Sequence, residues 1–223
     1  MDERKEQIIQ TLPFWDKLNE DEKEHLRKNT RFVKYSKDAH IHSCTGTCVG
    51  LVMVVSGGLR AYLLSEEGRE VTLFRLGQGQ ICILAASCVI SQLTFDAHIV
   101  AEKDTEVLVF GAHAFLQLKE TNLHVECFLY KLATERFSEV MWSMQQLLFM
   151  GFDRRLALFL VTEAEKNGSL TIELTHDQIA RLTGSAREVV TRMLKRFSED
   201  ELITLKRGKV VISDMDGLKL LSE

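Results

Sequence analysis

From Ala114 to Leu148 the chain contains neither proline nor glycine, and within this stretch Ala133, Phe137, Val140, Met144 and Leu147 recur with spacings of 4, 3, 4 and 3. That is the heptad signature of a helix packing along a partner helix. Phe128, Leu132, Met141 and Leu148 fall off the stripe, so two faces call for burial. One face is expected to meet the rest of its own chain and the other a second subunit, which makes a homodimer with Ala133, Phe137, Val140, Met144 and Leu147 at its interface. The simpler alternative is one apolar stripe lying on its own domain. A helix of this length divides the chain into three parts: residues 1–113, the helix at 114–150, and residues 151–223. With 223 residues there is room for two modest domains, each with its own core.

The two flanks carry different periodicities. After a short amphipathic lead-in (Phe14, Leu18, Leu26), the stretch from Arg31 to Phe110 alternates apolar and polar residues in short runs, punctuated by Gly57-Gly58, Gly68, Gly77 and Gly79. Leu51–Val55, Leu59–Leu63, Val71–Phe74 and Val107–Phe110 read as strands of a β-barrel or β-sandwich. Beyond the long helix, Gly151 ends it and a second helix runs from Asp153 to Lys166, closed by Asn167-Gly168. Leu170–Leu174 then alternates as a short strand. The fold class is therefore α+β. A single proline, Pro13, and a hydrophobic share of 45% argue against disorder. No apolar run approaches the roughly 20 residues that cross a bilayer, and no signal-peptide core follows Met1-Asp2-Glu3-Arg4-Lys5, so a cytoplasmic protein without membrane contact is expected.

The C-terminal part is the most informative. Thr175 and Gln178 have the spacing of a capping box ahead of Ile179, Ala180 and Leu182; the helix so begun ends at Thr183-Gly184, and Ser185-Ala186-Arg187-Glu188 opens another with the form of a second capping box. On a helical wheel Val189, Val190, Met193, Leu194 and Phe197 share one arc, and Arg187, Glu188, Thr191, Arg192 and Lys195 the other. Arginine donates two hydrogen bonds to guanine O6 and N7, and glutamate accepts from cytosine N4, so this arc suits the reading of base edges in a major groove. An i, i+4 ion pair between Glu188 and Arg192 on a solvated face is the competing reading, and Glu188 could serve only as the cap partner of Ser185. Leu202–Leu205 and Val210–Ile212, joined by Lys206-Arg207-Gly208-Lys209, form a hairpin whose Lys206, Arg207 and Lys209 suit phosphate contacts. The formal net charge is -4, yet residues 181–209 carry 8 basic and 4 acidic side chains, so the positive excess sits on the reading unit.

Barrel, long helix and winged helix-turn-helix together resemble, over nearly the whole chain, the cyclic AMP receptor protein and fumarate-nitrate reduction regulator family, Crp/Fnr. The most specific stretch is Ser185 to Lys195, similar to the family's recognition helix S-R-E-x-V-x-R-x-L-K with Ala186 as an extra residue or a shifted start. The resemblance implies a transcription regulator in which Arg187, Glu188 and Arg192 read bases, with Thr191, Lys195, Thr175 and Ser185 alongside. It also implies a two-fold dimer on double-stranded DNA bearing a palindromic operator, RNA polymerase as a further partner, and a small-molecule effector in the barrel.

In the cyclic AMP type of that family a glutamate holds the ribose and an arginine the phosphate. Here no acidic residue follows Gly79 until after Cys88, and Phe95-Asp96 stands where the arginine is expected. The effector is therefore expected to be another molecule, with Cys82, Cys88, Phe95 and Asp96 as candidate pocket residues. Cys44-x3-Cys48 and Cys82-x5-Cys88, with His40 and His42 beside the first pair, allow an alternative as a metal or thiol redox sensor. Their spacings match no common iron-sulfur or zinc motif, and Cys82 and Cys88 lie among Ile83, Leu84, Val89 and Ile90, as packing residues do. No cofactor is expected. Cys127 is expected in a core or an interface, and His98 in a core. Nor is enzymatic activity expected: there is no phosphate-cradling glycine loop, nucleophile elbow or HExxH. Isothermal titration with cyclic AMP should give no binding; micromolar affinity would overturn this reading of the barrel.

Overall fold

The computed structural model describes residues 3–42, 49–84 and 97–223. The chain forms two compact units, one of Met1–Leu63 with Leu73–Val140, the other of Leu64–Thr72 with Met141–Glu223.

In the first unit, α1 (Glu3–Gln10), a 3-10 turn (Trp15–Lys17) and α2 (Glu20–Lys28) precede the strands. The start of α2 is fixed by Asn19, whose side chain accepts from the Glu22 N–H at 2.9 Å while the Glu22 carboxylate accepts from the Asn19 N–H at 2.8 Å. The lead-in residues Phe14, Leu18 and Leu26 are buried, as their amphipathic spacing predicts. Among the described residues eight strands follow: β1 (Thr30–Tyr35), β2 (His40–His42), β3 (Leu51–Ser56), β4 (Leu59–Leu64), β5 (Glu70–Leu76), β6 (Ile81–Cys82), β7 (His98–Ala101) and β8 (Thr105–Phe110). They make two four-stranded sheets, β1-β8-β3-β6 and β2-β7-β4-β5. The expected barrel thus takes the form of jelly-roll-like sheets that are not closed into one. Buried residues of both, including Leu51, Val107, Leu108, Ile41, Leu59 and Ile99, belong to one core. The β3–β4 turn depends on Gly57: at φ +92° an added Cβ would lie 2.6 Å from the Thr105 Cα, so no side chain fits there.

The expectation of one uninterrupted helix from Ala114 to Leu148 is corrected. There are two, α3 (Ala112–Thr121) and α4 (Leu123–Phe149), separated at Asn122. Asn122 is extended (φ -126°, ψ 108°), its Oδ1 accepts from the His124 N–H at 3.0 Å, and its Nδ2 donates to the Lys17 carbonyl at 3.2 Å. Local bonds of this kind compete with helical ones, and asparagine is among the side chains that make them best. Of the 27-residue α4, Val125, Leu129, Leu132 and Arg136 are buried.

The second unit contains α5 (Phe152–Asn167), β9 (Thr171–Ile172), α6 (His176–Thr183), α7 (Arg187–Glu199), β10 (Ile203–Lys206), β11 (Lys209–Ile212) and α8 (Met215–Ser222). Gly168 closes α5 in the left-handed region (φ 60°, ψ 30°), as Asn167-Gly168 foretold. The short strand is two residues, paired to β11 in a sheet of order β10-β11-β9. The core of this unit is built from Leu156, Leu160, Ile179, Val190, Leu194, Phe197, Ile203, Val210 and Leu218. The sequence reading did not foresee α8, which caps on Asp214 and contributes Leu218 to that core. Among the described residues no helix is long and apolar enough to cross a membrane.

Candidate nucleic-acid interface

The reading unit is assembled by capping chemistry and one glycine. At the start of α6 the Thr175 hydroxyl accepts from the Gln178 N–H at 3.3 Å, and the Gln178 side chain accepts from the Thr175 N–H at 2.9 Å, the reciprocal pair its spacing predicts. Gly184 ends α6 in the left-handed region (φ 63°, ψ 37°), its N–H donating to the Ala180 carbonyl. An added Cβ there would also approach the Leu147 side chain to 3.2 Å. Glycine therefore sets the angle at which α7 leaves.

The second expected capping box is not made. The N-cap of α7 is Ala186, with no side-chain cap bond, so the helix begins one residue later than Ser185 as a cap would require. The third helical residue is then Val189, and Glu188 is out of register for a reciprocal bond. Its carboxylate lies exposed in the first turn of α7 instead.

The two arcs of α7 are separated as the wheel indicates. Val190, Leu194 and Phe197 are buried, Val189 and Met193 half-buried, and Arg187, Glu188, Thr191, Arg192 and Lys195 exposed. Among the described residues no ion pair holds Arg187, Glu188 or Arg192, whereas Lys195 lies 3.7 Å from Glu199 and Arg196 lies 3.7 Å from Asp200. Exposed pairs at that distance contribute little and are easily exchanged for other partners. Thr191 is tied to a residue the sequence reading passed over: His176 Nδ1 lies 3.0 Å from the Thr191 hydroxyl and links the first turn of α6 to the outer face of α7. The signal was its place directly after the Thr175 cap. In the hairpin, Lys206 stands opposite Lys209, and Gly208 (φ 74°) makes the tip beside Arg207. Lys206 and Arg207 are exposed and Lys209 half-buried. Thr175 is exposed and Ser185 half-buried.

Cys82 is fully buried in β6 opposite Val52, in the apolar core. Cys44, Cys48, Cys88, Phe95 and Asp96 lie outside the described residues. Among those described, no group of three or more His, Cys, Asp or Glu side chains is placed to hold a metal ion. His98 is half-buried and stacks on Tyr62, with ring centroids 5.2 Å apart. Burial, with His98 nearby, holds the His42 imidazole below its ordinary range. Cys127, expected in a core or an interface, is exposed on α4.

On the candidate dimer stripe, Phe137 and Met144 are exposed at 64% and 45%. Ala133 and Val140 are partly buried against the core of the first unit, and Leu147 is half-buried.

Comparison with known proteins agrees with this geometry. Residues 32–122 match the model of the cyclic nucleotide-binding domain, and residues 154–221 that of the Crp-like helix-turn-helix domain. The crystal structure of a Crp/Fnr-family protein from Eubacterium rectale ATCC 33656 superposes with a TM-score of 0.91 and is 38% identical, covering 95% of this chain and 98% of that one. The cyclic AMP receptor protein of Thermus thermophilus is 27% identical over 164 residues, 74% of this chain and 75% of that protein. FixK2 from Bradyrhizobium japonicum, 17% identical with a TM-score of 0.69 over 87% of this chain and 98% of that one, shares the fold. Thr175→Ala, which removes the hydroxyl that caps α6, should lower the stability of the second unit by about 1 kcal/mol in urea unfolding. An unchanged midpoint would mean that the bond does not hold α6.

Proposed function

The chain belongs to the Crp/Fnr family of DNA-binding transcription regulators, and from that premise we propose that it acts as a homodimer, reads a palindromic operator through α7 and is switched by a small molecule bound in its β-sheet unit. The observation that carries the proposal is the outer arc of α7, where Arg187, Glu188 and Arg192 are exposed in the first two turns and committed to no ion pair among the described residues. A guanidinium that is not already paired can donate its planar fork to guanine without first losing a partner. Glu188, not engaged in a capping box, can accept from cytosine. Thr191, Lys195, Lys206, Arg207 and Lys209 then fall to backbone contacts, which fix register without choosing sequence.

Dimerisation is supported by the exposed apolar face of α4. Tyr130, Phe137, Met141, Met144 and Leu148 are exposed, and their spacings of 7, 4, 3 and 4 keep the heptad. The stripe differs from the one expected by a partial rotation: Phe137 and Met144 are common to both, while Ala133 and Val140 turn toward the helix's own unit. Uncovered apolar surface costs about 25 cal/mol per Å², and pairing two such helices removes it from water on both. A two-fold pair presents its reading helices to half-sites about one helical turn apart, roughly 34 Å. An effector that favours one spacing over another then controls binding, and RNA polymerase is the partner through which a bound dimer would act.

With an operator selected from random DNA, Arg187→Ala or Arg192→Ala should each cost about 1–3 kcal/mol and relax preference at one base pair per half-site in fluorescence anisotropy. Lys206→Ala and Lys209→Ala should weaken all sequences alike. Equal losses for Arg192→Ala on selected and random DNA would remove it from base reading. Phe137→Asp should halve the mass measured by light scattering, and a dimer that survives it would refute the helix pairing.

A further inference from the structure

In a helix a threonine hydroxyl readily donates to the carbonyl four residues before it, because that acceptor lies beside the side chain whatever surrounds the helix. Thr121, Thr134 and Thr183 do so here, reaching the carbonyls of Gln117, Tyr130 and Ile179 at 3.1, 2.9 and 2.8 Å. Thr191 stands in the second turn of α7 with the Arg187 carbonyl at the same interval, yet its hydroxyl meets His176 Nδ1 on α6 at 3.0 Å. His176 is held in turn: it is the first residue of α6, half-buried, directly after the Thr175 cap whose reciprocal bonds with Gln178 fix that turn. The result is a hydroxyl turned away from its own backbone and kept at the exposed edge between the two helices. Helix stability does not explain the arrangement. A hydrogen bond between surface side chains contributes about 0.5–1.5 kcal/mol net, and Thr191 forgoes a local bond of similar worth to make it.

We infer that His176 is a positioning residue for DNA binding: by holding the Thr191 hydroxyl out from α7 it readies a donor for a phosphate oxygen of the duplex backbone. This rests on the reading of α7 as the DNA-binding helix and adds to it a residue on α6 that acts through α7. A phosphodiester presents acceptors only, so Thr191 donates its single proton to it. The Thr191 oxygen must then accept from His176, which requires a proton on Nδ1 in the complex, as the Nδ1–H tautomer or as the imidazolium. The chain of Nδ1–H, Oγ1–H and phosphate aligns its dipoles in one direction, and each bond polarises the next. Without the imidazole the threonine proton returns to the Arg187 carbonyl, and the phosphate has to draw it away. Because a phosphate carries no base identity, His176 acts equally on the operator and on any other duplex.

The test uses the full chain in fluorescence anisotropy, with a selected operator and a random duplex of equal length as probes. Thr191→Val, which keeps the shape and removes the hydroxyl, should weaken binding to both duplexes by the same factor, about tenfold. His176→Ala should weaken both several-fold in the parent and change nothing in Thr191→Val. His176→Asn, whose amide places an N–H where Nδ1 stands, should restore most of that loss. In the DNA complex, nitrogen NMR should show a protonated Nδ1 on His176, assigned by its disappearance in His176→Asn. A loss from His176→Ala that is as large in Thr191→Val as in the parent assigns the imidazole a direct contact or a role in folding and overturns the proposal. An unprotonated Nδ1 in the complex, or His176→Asn no better than His176→Ala, does the same. A parent that binds neither duplex sinks the regulator reading itself, whereas a parent that binds both no better than Thr191→Val sinks this inference alone.

Discussion

The reading surface depends on the burial of Val190, Leu194 and Phe197 beneath α7. Each such side chain contributes roughly 1.5–3 kcal/mol when it leaves water, more than any contact Arg187 or Arg192 makes within the protein. Helical geometry then does the rest: with three inner positions fixed, residues 187, 188, 191, 192 and 195 have nowhere to point but outward. Specificity in the outer arc can therefore change without touching the fold, since no residue of that arc is needed to hold the helix in place. The exception is Thr191, whose hydroxyl meets His176 at 3.0 Å and so links the two helices on the side where DNA would lie.

Most of this was legible because the elements of the second unit are set by short-range rules. Thr175 with Gln178, Gly184, Asn167 with Gly168 and the Arg207-Gly208 tip each fix a backbone conformation within a few residues, and each is found where its spacing placed it. The errors are of the same local kind. Ser185 and Ala186 are both able to precede a helix, and spacing alone cannot say which is the cap; the bond from the Ser185 N–H to the Ala180 carbonyl ties Ser185 to the preceding helix and leaves Ala186 to begin the next. At Asn122 the local bond from the His124 N–H is joined by one to the Lys17 carbonyl, more than a hundred residues away. No window along the chain contains it.

The first unit shows a different limit. Its alternation and glycines announced the strands, and positions such as Gly57 are forced by backbone conformation and a close neighbour together. What alternation does not encode is which strands pair: β8 lies between β1 and β3, far from both in sequence. Cys82, which its apolar neighbours in the sequence marked as a packing residue, is packed in the core, while Arg136 drew no notice among the charges of α4 and is nonetheless buried.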